Sequence, residues 1–97
     1  MRLKLEDKHY YQDMNGTYTN HYLDGHYVEN TFENGYKVFA REYYPNGNIM
    51  LETPYVKGRR HGIMIRYNND GSIEKRSVLV NGYYSESKTA KLNNQTN

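Results

Sequence analysis

Glycine recurs at positions 16, 25, 35, 47, 58, 62, 71 and 82, mostly nine to thirteen residues apart. In six cases it follows Asn or Asp: Asn15-Gly16, Asp24-Gly25, Asn34-Gly35, Asn46-Gly47, Asp70-Gly71 and Asn81-Gly82. That dipeptide is the strongest short-range hairpin signal, because Gly, and often the Asn or Asp before it, accepts a positive φ. The segments between turns are rich in Tyr, Val, Ile, Thr and Phe, and none sustains a helical period. The spacing predicts an all-β, single-domain antiparallel meander of about eight short strands, forming a curved open sheet.

The turns sit inside a longer repeat. "REYYPNGNIMLETPYVKG" (Arg41 to Gly58) is answered by "IRYNNDGSIEKRSVLVNG" (Ile65 to Gly82). Tyr43 corresponds to Tyr67, Gly47 to Gly71, Ile49 to Ile73, Val56 to Val80 and Gly58 to Gly82. A three-residue loop ending in a left-handed Gly sets Tyr43 opposite Ile49, Tyr67 opposite Ile73 and Arg66 opposite Glu74; a two-residue turn would shift that register. The repeat continues upstream in degenerate form through "NGTYTNHYLDGHYVENTFENG". A period in the twenties belongs to stacking architectures, in which each unit buries a face on the next. The expected organisation is an N-terminal strand or cap over residues 1–14, hairpin repeats over 15–84, and a polar, disordered tail over 85–97.

Composition narrows the function classes. Ninety-seven residues with 36% hydrophobic content build a thin core. Twelve Tyr supply large plates with polar tips, suited to half-exposed surfaces and interfaces. A net charge of +2, spread along the chain, lacks the concentrated basic stripe of a nucleic-acid binder, so no direct nucleic-acid contact is expected. The absence of Cys excludes disulfides, thiol catalysis and thiolate metal ligands. No apolar run has the length of a signal-peptide core or membrane span, which leads to the expectation of a soluble, cytoplasmic protein.

At Tyr43-Tyr44-Pro45-Asn46-Gly47, Glu52, Tyr55, Lys57-Gly58 and His61-Gly62 the pattern resembles the MORN repeat variant of YwqK-type bacterial antitoxins. The likeness spans Gly35 to Gly82 well and Gly16 to Gly35 loosely. It departs where Arg76 stands for the usual Glu and Leu79 for the usual Tyr. The resemblance implies a trough-shaped antiparallel sheet with aromatics along one face. It also implies a role as an antitoxin or immunity partner, or as a dimerisation scaffold.

The candidate sites follow from these residues. His21 and His26 flank the Asp24-Gly25 turn and could share a face. With His9 and His61 elsewhere and no Cys, the three or four preorganised ligands of a zinc site are not in view, and no metal or cofactor is expected. The acids lie one or two per hairpin, as on solvated strand faces, so no enzyme activity is expected. Lys57-Gly58-Arg59-Arg60-His61 is the one basic concentration, suited to an acidic partner surface or to an anionic lipid headgroup. Regular strands cannot turn both members of Tyr10-Tyr11, Tyr43-Tyr44 or Tyr83-Tyr84 inward, so one of each pair should be exposed. Tyr44, Arg59, Arg60, Tyr83 and Tyr84 are therefore the expected partner-binding residues. The function expected is non-enzymatic inhibition of a protein partner. That partner would be a toxin, or a nuclease or defence effector met by a phage or mobile-element protein. The alternatives are a structural tethering module and an anionic-lipid binder. Two open sheet edges lead further to the expectation of a homodimer.

Overall fold

Two kinds of turn alternate along the chain, and they dictate the architecture. The computed structural model describes residues 14–95. In the first kind, at residues 22–26, 44–48 and 68–72, the same bonds are made three times. Tyr22, Tyr44 and Asn68 donate N–H to the carbonyls of His26, Asn48 and Ser72 at 3.0, 2.8 and 2.8 Å. Gly25, Gly47 and Gly71 donate back to Tyr22, Tyr44 and Asn68 at 3.0, 2.9 and 3.0 Å. An Asp or Asn carboxyl or amide oxygen then accepts the N–H two residues on: Asp24 from His26, Asn46 from Asn48 and Asp70 from Ser72. This Asx geometry is why Asp or Asn precedes each of these glycines. The turn of the upstream unit, degenerate in sequence, is thus a full third copy in hydrogen bonding, though its flanking strands pair without the bulge of the other two.

The second kind is a two-residue turn with positive φ at both positions. It occurs at Asn34-Gly35, Lys57-Gly58 and Asn81-Gly82, with φ near 50° at the first residue of each pair. Such turns match the right-handed twist of the strands they join.

Between the turns run β1 (Gly16–His21), β2 (Tyr27–Glu33), β3 (Tyr36–Tyr43), β4 (Ile49–Val56), β5 (Arg59–Arg60), β6 (Gly62–Tyr67), β7 (Ile73–Val80) and β8 (Tyr83–Ser85). They form one antiparallel sheet in the order β1-β2-β3-β4-β6-β7-β8, with the short β5 pairing β4 alone. The expected all-β open meander is what forms. The sheet measures 50 × 32 × 22 Å. All turns of the first kind lie at one end of the strands and all turns of the second kind at the other.

The register agrees with the three-residue loop: Tyr43 faces Ile49 and Tyr67 faces Ile73. Arg66, however, faces Lys75 rather than Glu74. Irregularities between Glu42 and Tyr43, and between Arg66 and Tyr67, leave Met50 and Glu74 as the extra residues of bulges. Counting outward from the loop therefore fails one residue beyond it.

The core is thin. Among the described residues only Ala40, Thr53, Ser77, Leu79 and Thr89 are buried. The pairing of Ala40 with Thr53 and of Arg41 with Glu52 puts them on opposite faces, because side chains alternate along a strand. On the face carrying Arg41, Tyr27 stacks on Tyr43 with centroids 4.6 Å apart. A polar chain crosses the same face: Tyr43 donates to Glu29 at 2.7 Å, Arg41 to Glu52 at 2.9 Å, and Tyr67 to Glu52 at 2.6 Å. Burial and the Glu29 hydrogen bond raise the Tyr43 pKa. The hydrogen bond to Glu52, with burial second, raises that of Tyr67. The central strands β2, β3, β4 and β6 are thus tied together by side chains as well as backbone.

The tail differs from the sequence expectation. Instead of fraying, Glu86–Gln95 forms helix α1. Ser85 Oγ accepts the Lys88 N–H at 3.3 Å as an N-cap, and Glu86 sits in the first turn, where the helix dipole favours an acid. The helix is anchored by polar contacts to β7: Thr89 Oγ1 accepts the Val78 N–H at 2.7 Å, and Asn93 Nδ2 donates to the Arg76 carbonyl at 3.5 Å. The strand or cap expected over 1–14, with Tyr10-Tyr11 and His9, falls outside the described residues but for Met14, whose carbonyl accepts the Gly35 N–H.

Candidate functional site

The two-residue turns bring side chains together that lie far apart in sequence. Gly82 donates to the Arg60 carbonyl at 2.7 Å, and Asn81 donates to His61 Nδ1 at 3.1 Å, so the 81–82 turn and its flanking Tyr83 lie beside β5. On the other side, Tyr36 leaves its turn close to Gly58, where an added Cβ would come 3.9 Å from its ring. Lys37 Nζ lies 5.2 Å from the centre of the Tyr55 ring. The result is a rim that joins Lys37, Lys57, Arg59 and Arg60 to Tyr36, Tyr83 and Tyr84.

This rim is open. Tyr83 is 76% exposed, Tyr84 55% and Tyr36 54%, with Val56 at 52% among them. Within the described residues Tyr36, Arg59, Tyr83 and Tyr84 make no side-chain hydrogen bond or ion pair, and Arg60 makes only a 3.4 Å contact to the Gly82 carbonyl. Burial raises the Tyr55 pKa, the nearby positive charge of Arg60 opposing the shift. The arrangement offers cations for an acidic surface and three wide aromatic plates for burial.

Of the five residues expected to bind, four meet here: Arg59, Arg60, Tyr83 and Tyr84. Tyr44 does not. It stands at the other end of the sheet, roughly 25 Å away along an eight-residue strand. It is half-buried, and its hydroxyl donates to the Tyr67 carbonyl at 2.7 Å. It links two repeat units. Nor does the doublet rule hold: Tyr43 and Tyr44 are both half-buried, whereas Tyr83 and Tyr84 are both exposed. The rule assumes one covered face along a regular strand. Tyr44 instead lies just past the end of β3, in a turn bonded to the next turn, and β8 is only three residues long.

Sequence reasoning missed Tyr36 and Lys37 as members of the rim. The available signal was position: Tyr36, Arg59 and Tyr83 each follow directly on a two-residue turn.

Two of the histidines engage neighbours of their own hairpin. His21 packs on Tyr27 at 5.3 Å, and His26 stacks on Tyr22 at 4.4 Å while its Nδ1 contacts Asp24 Oδ1. Among the described residues no three of His, Cys, Asp and Glu converge as metal ligands. A shallow cleft lies between Tyr43 and Tyr67 over Ile49, bordered by Gly47, Asn48 and Gly71. Its walls are part of the cross-strand hydrogen-bond chain already described. No helix among the described residues is long and apolar enough to cross a membrane. No protein-family model, curated protein or solved structure matches this chain.

Proposed function

We propose that the chain is a non-enzymatic protein-binding module that inhibits or neutralises a protein partner, and that it engages this partner with the two-residue-turn rim. The observation that carries the reading is Lys57. Its φ is 51°, in the left-handed region, where the equivalent residues of the other two turns are Asn34 and Asn81. Asn tolerates that conformation better than Lys does. A repeat that uses the well-suited residue twice and a poorly suited cation once, beside Arg59 and Arg60, is a departure from local preference of the kind expected at functional positions.

Tyr and Arg are enriched at binding hot spots, and Tyr adds contact area at low entropic cost. The resemblance to antitoxin repeats supports the same class of partner: a toxin, nuclease or defence effector. The anionic-lipid reading rests on the cations alone and leaves Tyr36, Tyr83 and Tyr84 without a role.

The test is affinity capture from the source cell with two baits, the wild-type chain and Arg59→Glu/Arg60→Glu/Tyr83→Ala, compared by quantitative mass spectrometry. A protein retained by the first and lost by the second supports the reading. Equal capture by both removes the rim from consideration. Binding of the wild type to anionic vesicles, with no differential protein, favours the lipid alternative.

A further inference from the structure

The two edges of the sheet are unlike. At one, β8 pairs with Val78–Val80, and α1 then takes over by accepting the Val78 N–H and donating to the Arg76 carbonyl. At the other, β1 pairs among the described residues only with β2, and all six of its residues are exposed. Natural edges are usually blunted by charge, proline, a bulge or a cover. The sequence of β1, Gly-Thr-Tyr-Thr-Asn-His, contains neither a formal charge at neutral pH nor proline, and its pairing to β2 is regular from Gly16 to His21.

We infer that β1 is a docking edge for the β1 of a second copy, paired antiparallel about Thr19. The register follows from the hydrogen-bond alternation. Tyr22 donates inward to His26, so the even-numbered residues 20, 18 and 16 bond to β2. Thr17, Thr19 and His21 therefore direct their backbone N–H and C=O outward. These three are symmetric about Thr19, so a two-fold axis there sets Thr19 against its own copy and Thr17 against His21, in one self-complementary ladder. On the opposite face Tyr18 falls against Asn20. No like charges meet in this pairing. The antiparallel arrangement also points the two basic rims in opposite directions, so Lys57, Arg59 and Arg60 of the two copies stay apart. A single pair of six-residue strands buries less than a standard stable interface, so the association is reversible.

The register makes the test specific. Sedimentation equilibrium of the full chain from micromolar to millimolar concentration should show reversible exchange between 11.5 kDa monomer and dimer. Thr19→Pro removes an outward N–H and leaves the β1–β2 ladder intact, because proline is tolerated where the N–H faces solvent. It deletes two bonds across the axis and should weaken dimerisation by roughly 30-fold or more, with a near-wild-type melt. Thr19→Lys puts like charges directly opposite and should act the same way. Thr17→Lys/His21→Glu creates two opposite-charge pairs across the axis and should tighten the dimer. A chain that stays monomeric throughout overturns the inference and leaves the edge to another protein's strand. Dimerisation unchanged by Thr19→Lys, or weakened by Thr17→Lys/His21→Glu, overturns the register even if Thr19→Pro fails to fold.

Discussion

The two ends of the sheet are built from the same strands and behave in opposite ways. At the end formed by residues 22–26, 44–48 and 68–72, the side chains are spent on one another. Asn48 and Asn46 both donate to Asn69, Tyr44 reaches the Tyr67 carbonyl, and Asn68 and Asp70 bond to Ser72. A Cβ at Gly25 would come within 3.1 Å of Pro45, so successive turns are in contact. At the two-residue-turn end, Asn15 Oδ1 accepts the Asn34 N–H and His61 Nδ1 the Asn81 N–H, and Tyr36, Arg59, Tyr83 and Tyr84 are left without side-chain hydrogen bonds among the described residues. Turn chemistry decides which end stacks and which end stays open. A three-residue Asx turn uses its own side chain to hold its shape, whereas a two-residue turn is closed by a left-handed backbone and leaves its own side chains outward.

The largest effect expected from breaking this contrast is on binding. Arg59→Glu/Arg60→Glu should weaken partner capture by roughly 2–4 kcal/mol while the melting temperature stays within a degree or two of wild type. An equal loss of stability would show that the rim, like the other end, is structural.

On the stacking end the order of effects reverses. Gly71→Ala forces a Cβ onto a residue at φ +95° with open space around it, so the cost is backbone strain alone, about 1–2 kcal/mol. Asn46→Ala removes the Asn48 N–H cap and the bridge to Asn69 and should cost about 1 kcal/mol. Thermal melts should show both losses, with partner capture unchanged.

The cross-strand polar chain predicts an alkaline limit. Tyr43 and Tyr67 have folded pKa values above their ordinary value, so the folded state favours their neutral form. Their contribution is complete below the unfolded pKa, near 10, and is lost as pH rises through the higher folded values. Ionised Tyr67 would also repel Glu52. Denaturation midpoints measured from pH 8 to 11.5 should fall above roughly pH 10, and Tyr67→Phe should flatten that fall while costing about 1 kcal/mol at neutral pH. A flat wild-type profile would mean that the two hydroxyls contribute nothing to folding.

The smallest effect is the most discriminating. Lys57→Asn restores at the open end the residue used by the other two turns of its kind. It should stabilise the chain by about 0.5 kcal/mol and weaken partner capture. Stabilisation without any loss of binding would remove Lys57 from the rim.

Much of the fold was legible because each turn is a local event. Asp24-Gly25, Asn46-Gly47 and Asp70-Gly71 act within five residues, and the strands are what lies between. The same locality explains the registers of Tyr43 with Ile49 and of Tyr67 with Ile73. It also explains the miss at Arg66, where a bulge absorbs Glu74 one step beyond the turn. The candidate site was half legible. The basic run of Arg59 and Arg60 stands in the sequence, as does the Tyr83-Tyr84 pair, but nothing local says that they adjoin.

By itself, then, the sequence determined where the chain turns and about how many strands result, since φ preferences at Gly, Asn and Asp act over a few residues. Only the tertiary structure decided which tyrosines are free. Tyr44 is occupied because its hydroxyl donates to the carbonyl of Tyr67, twenty-three positions later, and Tyr36 joins the rim because β4 returns Gly58 to its side. The helix belongs to the same class. Glu86–Gln95 has no apolar stripe to announce it, and what anchors it is a Thr89 hydroxyl bonded to β7 where β8 stops. Exposure and docking are sums over neighbours distant in sequence, and those neighbours meet only when the repeats stack.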